Sequence, residues 1–341
     1  MHIMIRIWLS LLVLSAAAPL SAQKVSGDGI DADTILALKG LQLLDQRMNA
    51  IGYRLTTANA AFCDPKAASS GLLLNDVAQY ADQETARFAL GFDAPIGITA
   101  VAPDSPAEAA KLSPGNSLLA INNIAIEDIA TDEPESEDQP PAYRRIDTIN
   151  RTLQQQLAAG TVQLTIAEGG ISKTVPVEAV QTCPGQFQVR VSADRSATAD
   201  GKLVSVSSRL AEYFLSDDEF AAVVAHELAH NLLKHRDRLD AQNVNRGFFG
   251  QLGKSAGRIR ETEIEADRLS VWLMANAGYD PQAAIRFWTR YGKEHGKGIF
   301  SASTHYRWKK RVQLFEEEIA KMAAMKPVEG KYAPPLLTGT D

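Results

Sequence analysis

Three residues in one short stretch, His226, Glu227 and His230, have the types and spacing for hydrolytic chemistry. They stand in Ala225-His226-Glu227-Leu228-Ala229-His230-Asn231, an H-E-x-x-H pattern. Residues four apart share a helix face, so both imidazoles can reach one metal ion. Glu227 follows His226 round the helix, close enough to act on a water at the metal yet turned away from ligation. Two imidazoles and a carboxylate base are the working parts of a zinc hydrolase. A catalytic zinc also needs a third protein ligand and an open position. Glu261-Thr262-Glu263-Ile264-Glu265-Ala266-Asp267 begins the next helical pattern, and within it Glu263 and Asp267 share a face. Glu263 can ligate zinc, while Asp267 can accept a hydrogen bond from a ligand imidazole. Glu265 points elsewhere on helical geometry, and Glu261 stands at the helix entrance, where acids are favoured. His235 falls half a turn from His226 in projection and is expected to stabilise the helix C-terminus instead of joining the metal.

The elements that must hold these groups carry their own signals. Ser216-Asp217-Asp218-Glu219 is a capping box that opens the His226 helix, which is expected to run to about His235. Leu, Val and Ala surround that helix on nearly every side, as for a helix buried in a core. Ile264, Leu269, Trp272 and Leu273 recur at helical spacing in the following helix, which Asn276 to Gly278 closes. Phe187 to Val191 and Leu203 to Val206 read as strands flanking a turn at Ala199-Asp200-Gly201, and the strand near Leu203 to Val206 is expected to be the edge that receives substrate. Ser207 to Phe214 reads as a short helix. Upstream, Asp31 to Ile51 shows a broad apolar helical face that continues or restarts through Tyr53 to Ala61 and stops near Cys63-Asp64-Pro65. Asn243 to Ser255, with Phe248-Phe249, reads as a mobile lid or an ordinary loop, and the chain after Lys326 as a disordered tail.

At 341 residues the chain has room for two domains and a sizeable core. Apolar content of 45% and charge of 22% are those of a globular protein, and a net charge of -6 without a basic run excludes nucleic acid as a partner. Residues 1–22 have the layout of a secretory signal: a basic start, an apolar run from Ile7 to Ala18, and a small residue, Ala22, at the expected cleavage point. Nothing later is apolar for long enough to cross a membrane, so no transmembrane segment is expected in the mature chain. The expected address is a bacterial periplasm, with secretion or anchoring by an uncleaved signal as alternatives. Cys63 and Cys183 are an even pair, which in an oxidising compartment reads as a disulfide; zinc ligation is the competing use, but neither stands in a C-x-x-C pair.

Residues 66–182 differ in character, with short β-like runs, a small-residue helix and turn signals. Ala89-Leu90-Gly91-Phe92 precedes a strand at Ile96 to Val101, then a Ser105-Pro106-Ala107 helix start, a Gly115-Asn116 turn and a strand at Ser117 to Asn123. Arg144 to Ala158 follows as an amphipathic helix, with closing strands at Thr161 to Ile166 and Lys173 to Val180. This order resembles a PDZ domain whose carboxylate-binding loop is of G-L-G-F type, with Ala89 in the first position. The resemblance implies that Ala89, Leu90, Gly91 and Phe92 receive a C-terminal peptide added as a strand; on the alternative reading Leu90 and Phe92 fill the core and the groove stays empty. The acidic stretch Glu127 to Asp138 reads as a solvated loop. Because Cys63 lies just before this block and Cys183 just after it, a bond between them would staple the ends of an insertion. The expected organisation is then a helical part at 30–65, the PDZ-like insertion at 66–182, the metallopeptidase domain at 183–325 and the tail at 326–341.

The H-E-x-x-H of His226 to His230, followed by E-x-x-A-D at Glu263 to Asp267, resembles the zinc metallopeptidase family of CAAX prenyl endopeptidases, HtpX and BepA-like peptidases. The likeness extends to Ala277-Gly278-Tyr279-Asp280-Pro281 and to Ser303-Thr304-His305 with Arg311 beyond, although Tyr306 stands where that family has proline. It implies Glu263 as the third ligand, and His305 and Arg311 as candidates to stabilise a developing oxyanion or to tie helices together. The fold class it implies is α+β: a mainly helical, zincin-type (gluzincin-like) domain with a small sheet, plus the β-rich PDZ domain. The function it implies is an exported endopeptidase with one Zn2+ per chain, acting on peptides or unfolded proteins, with the PDZ module recruiting or gating substrate in envelope quality control. The alternative is a PDZ-based chaperone or scaffold whose zinc site is structural or inactive.

Overall fold

The computed structural model describes residues 31–131, 141–244, 253–295 and 308–340. The signal-like segment 1–22, Phe248-Phe249, His305 and Tyr306 lie outside them, as does most of the acidic stretch. The chain is α+β, as the sequence implies, and one long helix joins its two bodies.

That helix, α1 (Ala32–Ala58), is capped by Asp31, whose carboxylate accepts from the Thr34 N–H at 2.9 Å. It continues unbroken through the expected restart near Tyr53. Gly52, an unfavourable residue for a helix interior, is there for contact: a Cβ at this point would sit 2.3 Å from the ring of Phe187. The β-rich body follows, with β1 (Ala67–Ser69), β2 (Leu72–Asp76), α2 (Gln83–Leu90), β3 (Ile96–Val101), α3 (Pro106–Ala109), β4 (Ser117–Ile121), β5 (Ile124–Ala125), α4 (Pro141–Ala159), β6 (Val162–Glu168), β7 (Ile171–Val177) and β8 (Val180–Thr182). Its antiparallel sheet runs β2-β3-β4-β6-β7, with β5 beside β4. Ile146, Ile149, Leu153 and Leu157 of α4 pack with Ile96, Ile98, Leu118 and Ile166 of the sheet. Each such side chain contributes roughly 1.5–3 kcal/mol on burial. Outside this sheet β1 pairs with β8, Ala67 opposite Thr182, which brings the ends of the body together beside α1. There Cys63 and Cys183 form the expected disulfide, with Cα atoms 5.3 Å apart.

The expected carboxylate loop takes a different role. Ala89 and Leu90 end α2, and Gly91, at φ 75°, is its left-handed C-cap. The N–H groups of Gly91 and Phe92 donate to the carbonyls of Phe88 and Arg87, at 3.3 and 2.9 Å, so the helix end already uses them. The β3 edge beside them is paired along its length with β2, from Leu72 opposite Val101 to Asp76 opposite Ile96. Val77, just past that strand and 4% exposed, packs against Leu90 and Phe92. The β3 edge where a peptide was expected to add is therefore occupied by β2 of this chain.

The second body contains β9 (Gln186–Arg190), β10 (Ala197–Ala199), β11 (Leu203–Ser207), α5 (Ser208–Ala211), α6 (Asp217–Leu232), α7 (His235–Ala241), α8 (Gly253–Asn276), α9 (Gln282–His295), α10 (Trp308–Ala323) and α11 (Pro335–Thr338). Its sheet has the order β10-β11-β9, with β11 parallel to β9 and antiparallel to β10. The Leu203 to Val206 strand is thus central, and the expectation that it forms an edge is corrected. Helix α6 is buried almost all round, with Phe220, Val224, Ala225 and Leu228 inside a core shared with α1, α8, α9 and α10. Ser216 caps it at the Glu219 N–H, as its sequence requires, but Glu219 turns to the Leu215 N–H and to Arg290. The tail after Lys326 is ordered against α8: Asn276 accepts from the Tyr332 N–H at 2.7 Å and donates to its carbonyl at 2.8 Å. The disordered tail is therefore corrected as well.

Candidate metal centre

Helix α6 sets His226 and His230 on one face, and α8 crosses it to bring Glu263 opposite. Their ligating atoms all lie within 4.8 Å of one another, and this trio is the group among the described residues able to hold a metal. The two Nε2 atoms are 3.2 Å apart, and Glu263 reaches them at 3.6 Å from His226 and 3.4 Å from His230. Bonds of about 2.0–2.1 Å to one tetrahedral ion require neighbouring donors about 3.3 Å apart. The donor set and its spacing therefore fit zinc. Glu227 is half-buried on the same helix turn, next to His226.

The expected support of His226 is present. Its Nδ1 lies 2.9 Å from Asp267 Oδ1, and Asp267 is fully buried. Arg311, from α10, grips the same carboxylate through Nε at 2.8 Å and through Nη2. It also stacks over Trp288, 3.5 Å from the ring centroid. With its donors turned to Asp267, Arg311 stands behind a ligand, not across the open metal position. The geometry ties Arg311 to Asp267 and His226 and gives no contact that would support the candidate role as an oxyanion electrophile. Asp267 was legible from spacing; its pairing with Arg311 was not.

Electrostatics agree with a site built for a cation. Burial and the charge of Arg311 pull the basicity of His226 down, yet hydrogen bonds to Asp267 and Glu263 prevail and raise its pKa to about 9. Burial, followed by the charge of His226, lowers His230 to about 3. Burial opposes ionisation of Asp267, but Arg311 and His226 outweigh it and hold the carboxyl below its usual range. Without metal, the carboxylates keep one positive charge on His226; a divalent ion bound between the imidazoles would take over that role.

His235 departs from expectation. The helix ends at Leu232 and Lys234 turns left-handed at φ 52°, so His235 opens α7 instead of ending α6. It is buried against His230, with Glu265 and Arg238 behind it.

Comparison with known proteins places this site. Residues 179–256 match the profile of Peptidase family M48. A segment of about a quarter of the chain is therefore similar to M48 peptidases. That segment includes both histidine ligands and Glu227, and the structure adds Glu263 from just beyond it. Peptidases of this family use zinc, and the His226, His230 and Glu263 group could hold such an ion. Similar proteins include the mitochondrial metalloendopeptidase OMA1 of Schizosaccharomyces pombe, 32% identical over 122 residues, or 30% of this chain and 36% of the relative. That of Arabidopsis thaliana is 32% identical over 138 residues, 34% of this chain and 27% of the relative. That of Saccharomyces cerevisiae is 24% identical over 169 residues, 40% and 48%. The likeness thus spans less than half the length of each relative. All three are mitochondrial by name, which overturns the expected bacterial periplasmic address. No helix among the described residues is long and apolar enough to cross a membrane.

Proposed function

We propose that this chain is a zinc-dependent endopeptidase acting on peptides or unfolded proteins. The observation that carries the reading is the His226–His230–Glu263 geometry, at donor spacings suited to one tetrahedral ion, with Glu227 on the same turn. Zinc held there would acidify a water and polarise a peptide carbonyl. Glu227 would take the proton from that water as its oxygen adds to the carbonyl carbon, then pass it to the nitrogen as the C–N bond breaks. Asp267 and Arg311 keep the His226 ring aimed throughout. Of the three-stranded sheet, the unpaired edge beside α6 is β10, so an extended substrate would add there and not at β11.

The β-rich body fits a PDZ-like reading whose groove, between β3 and α4, holds the chain's own β2 and Val77. A resident strand supports a fixed arm of the fold more than a recruiter of free C-termini. In full-length protein loaded with zinc, Glu227→Gln should keep its metal and lose cleavage of an unfolded protein by about 10²–10⁴-fold in kcat/KM. Equal cleavage by the variant would remove Glu227 from the mechanism, and a zinc-loaded wild type inert towards every unfolded substrate would remove the peptidase reading.

A further inference from the structure

One buried imidazole outside the ligand set faces the metal centre from behind. His235, 2% exposed, places its Nδ1 2.8 Å from Nδ1 of His230, with the rings edge to face at 4.8 Å. Its Nε2 lies 2.9 Å from Glu265 Oε2. Glu265 in turn accepts from Arg238 through Nη1 at 2.6 Å and Nη2 at 3.3 Å. One arrangement of protons satisfies the whole row. A metal at Nε2 of His230 leaves the proton of that neutral ring on Nδ1. This N–H then donates to a bare Nδ1 on His235, whose own proton sits on Nε2 and donates to Glu265. With the opposite tautomer of His235, two N–H groups would meet head-on.

We propose that His235 is a positioning residue for the metal centre: it fixes the tautomer and ring orientation of His230, and is itself held by the Glu265–Arg238 pair. The other ligand shows the same logic with one link fewer, because Nδ1 of His226 meets Asp267 directly and Arg311 clamps that carboxylate. Each ligand imidazole is thus backed by a carboxylate clamped by arginine, and on the His230 side an imidazole spans the gap. The spacing explains why. Asp267 shares the face of α8 with Glu263, whereas Glu265 points away from that face and needs an intermediary to reach a ligand.

The proposal rests on the metal reading above, and zinc affinity of the full chain separates the two. Competition with a chromophoric chelator would give Kd for wild type, His235→Ala, His235→Gln and Glu265→Gln, alongside the Tm of each metal-free protein. His235→Ala should weaken zinc about 10–100-fold. His235→Gln should recover part of that loss, because its amide oxygen can accept the His230 N–H. A purely structural residue would lower the metal-free Tm and leave Kd unchanged, so a Kd for His235→Ala within twofold of wild type overturns the proposal. Should that variant fail to fold, Glu265→Gln decides: it keeps His235 but weakens its anchor, and an unchanged Kd overturns the proposal equally. Nitrogen NMR of zinc-loaded wild type should show His235 protonated at Nε2 alone; protonation at Nδ1 refutes the row. A wild type that binds no zinc would instead remove the metal reading itself.

Discussion

Replacing both cysteines, Cys63→Ser with Cys183→Ser, tests whether the two bodies fold as one unit. The bond spans a sequence separation of 120 residues. If the whole chain unfolds together, the crosslink removes about 16 cal/mol/K from the unfolded ensemble, or about 5 kcal/mol at 25 °C. If the β-rich body stays folded while the helical body melts, the β1–β8 ladder already holds the ends together. The bond then closes a residual loop of roughly six residues, worth about 2 kcal/mol on the same relation. The structure favours the first case, because α1 belongs to both bodies. Its Asn49 donates to the Gly71 carbonyl at 3.0 Å and its Thr56 carbonyl accepts from the Cys183 N–H at 3.0 Å, while Met48, Ile51 and Leu55 lie in the helical core. Urea unfolding of a chain carrying Trp8→Phe can distinguish the cases, since the remaining Trp272, Trp288 and Trp308 report on the helical body alone while far-ultraviolet dichroism reports on both. Coincident transitions and a loss near 5 kcal/mol are expected, a large share of an ordinary domain's 5–15 kcal/mol. Fluorescence and dichroism that part company, or a loss near 2 kcal/mol, would refute the single-unit argument.

Asp45 gives a pH signature. Burial raises its carboxyl to about 7 against a single hydrogen bond from the Val189 N–H at 2.9 Å. Between about pH 4 and 7 the folded protein holds a proton that the unfolded chain has released, so stability should fall as pH rises through that window, by a few kcal/mol in all, and level off above it. Asp45→Asn keeps an acceptor for Val189 and should flatten the slope, gaining stability at pH 8; parallel wild-type and variant curves from pH 4 to 8 would refute the assignment. For the occupied β3 edge, the β2 amides that face β3 should exchange with solvent slowly, and peptides with free C-termini should show no saturable binding by fluorescence anisotropy. Rapid exchange of those β2 amides, or saturable binding, would restore the recruiting role.

What the sequence made legible was local. His226, Glu227 and His230 share one helix, Glu263 and Asp267 share another, and helical phase alone sorts their roles. His235 was misread because phase was carried across Lys234, which turns left-handed with no glycine to mark the break. The G-L-G-F reading missed a helix whose signals were present: Asp82 accepts from the Thr85 N–H, and Gly91 closes the same helix. Recognising those caps would have committed the loop's N–H groups to α2 and left none for a ligand. The central place of β11 depended on β10, a three-residue strand within Ser196-Ala197-Thr198-Ala199-Asp200 whose alternation is too short, and its apolar residues too small, to mark a strand. Arg311 could have been placed by need. Once Asp267 is assigned to the buried side of a ligand, its carboxylate requires a fixed positive partner, since an unpaired charge there would cost several kcal/mol. Among the basic residues of the later helices, Arg311 alone was already tied to the site by family position. A guanidinium satisfied by a buried carboxylate is poorly placed to stabilise an oxyanion, so the same reasoning that finds Arg311 also takes it out of the chemistry.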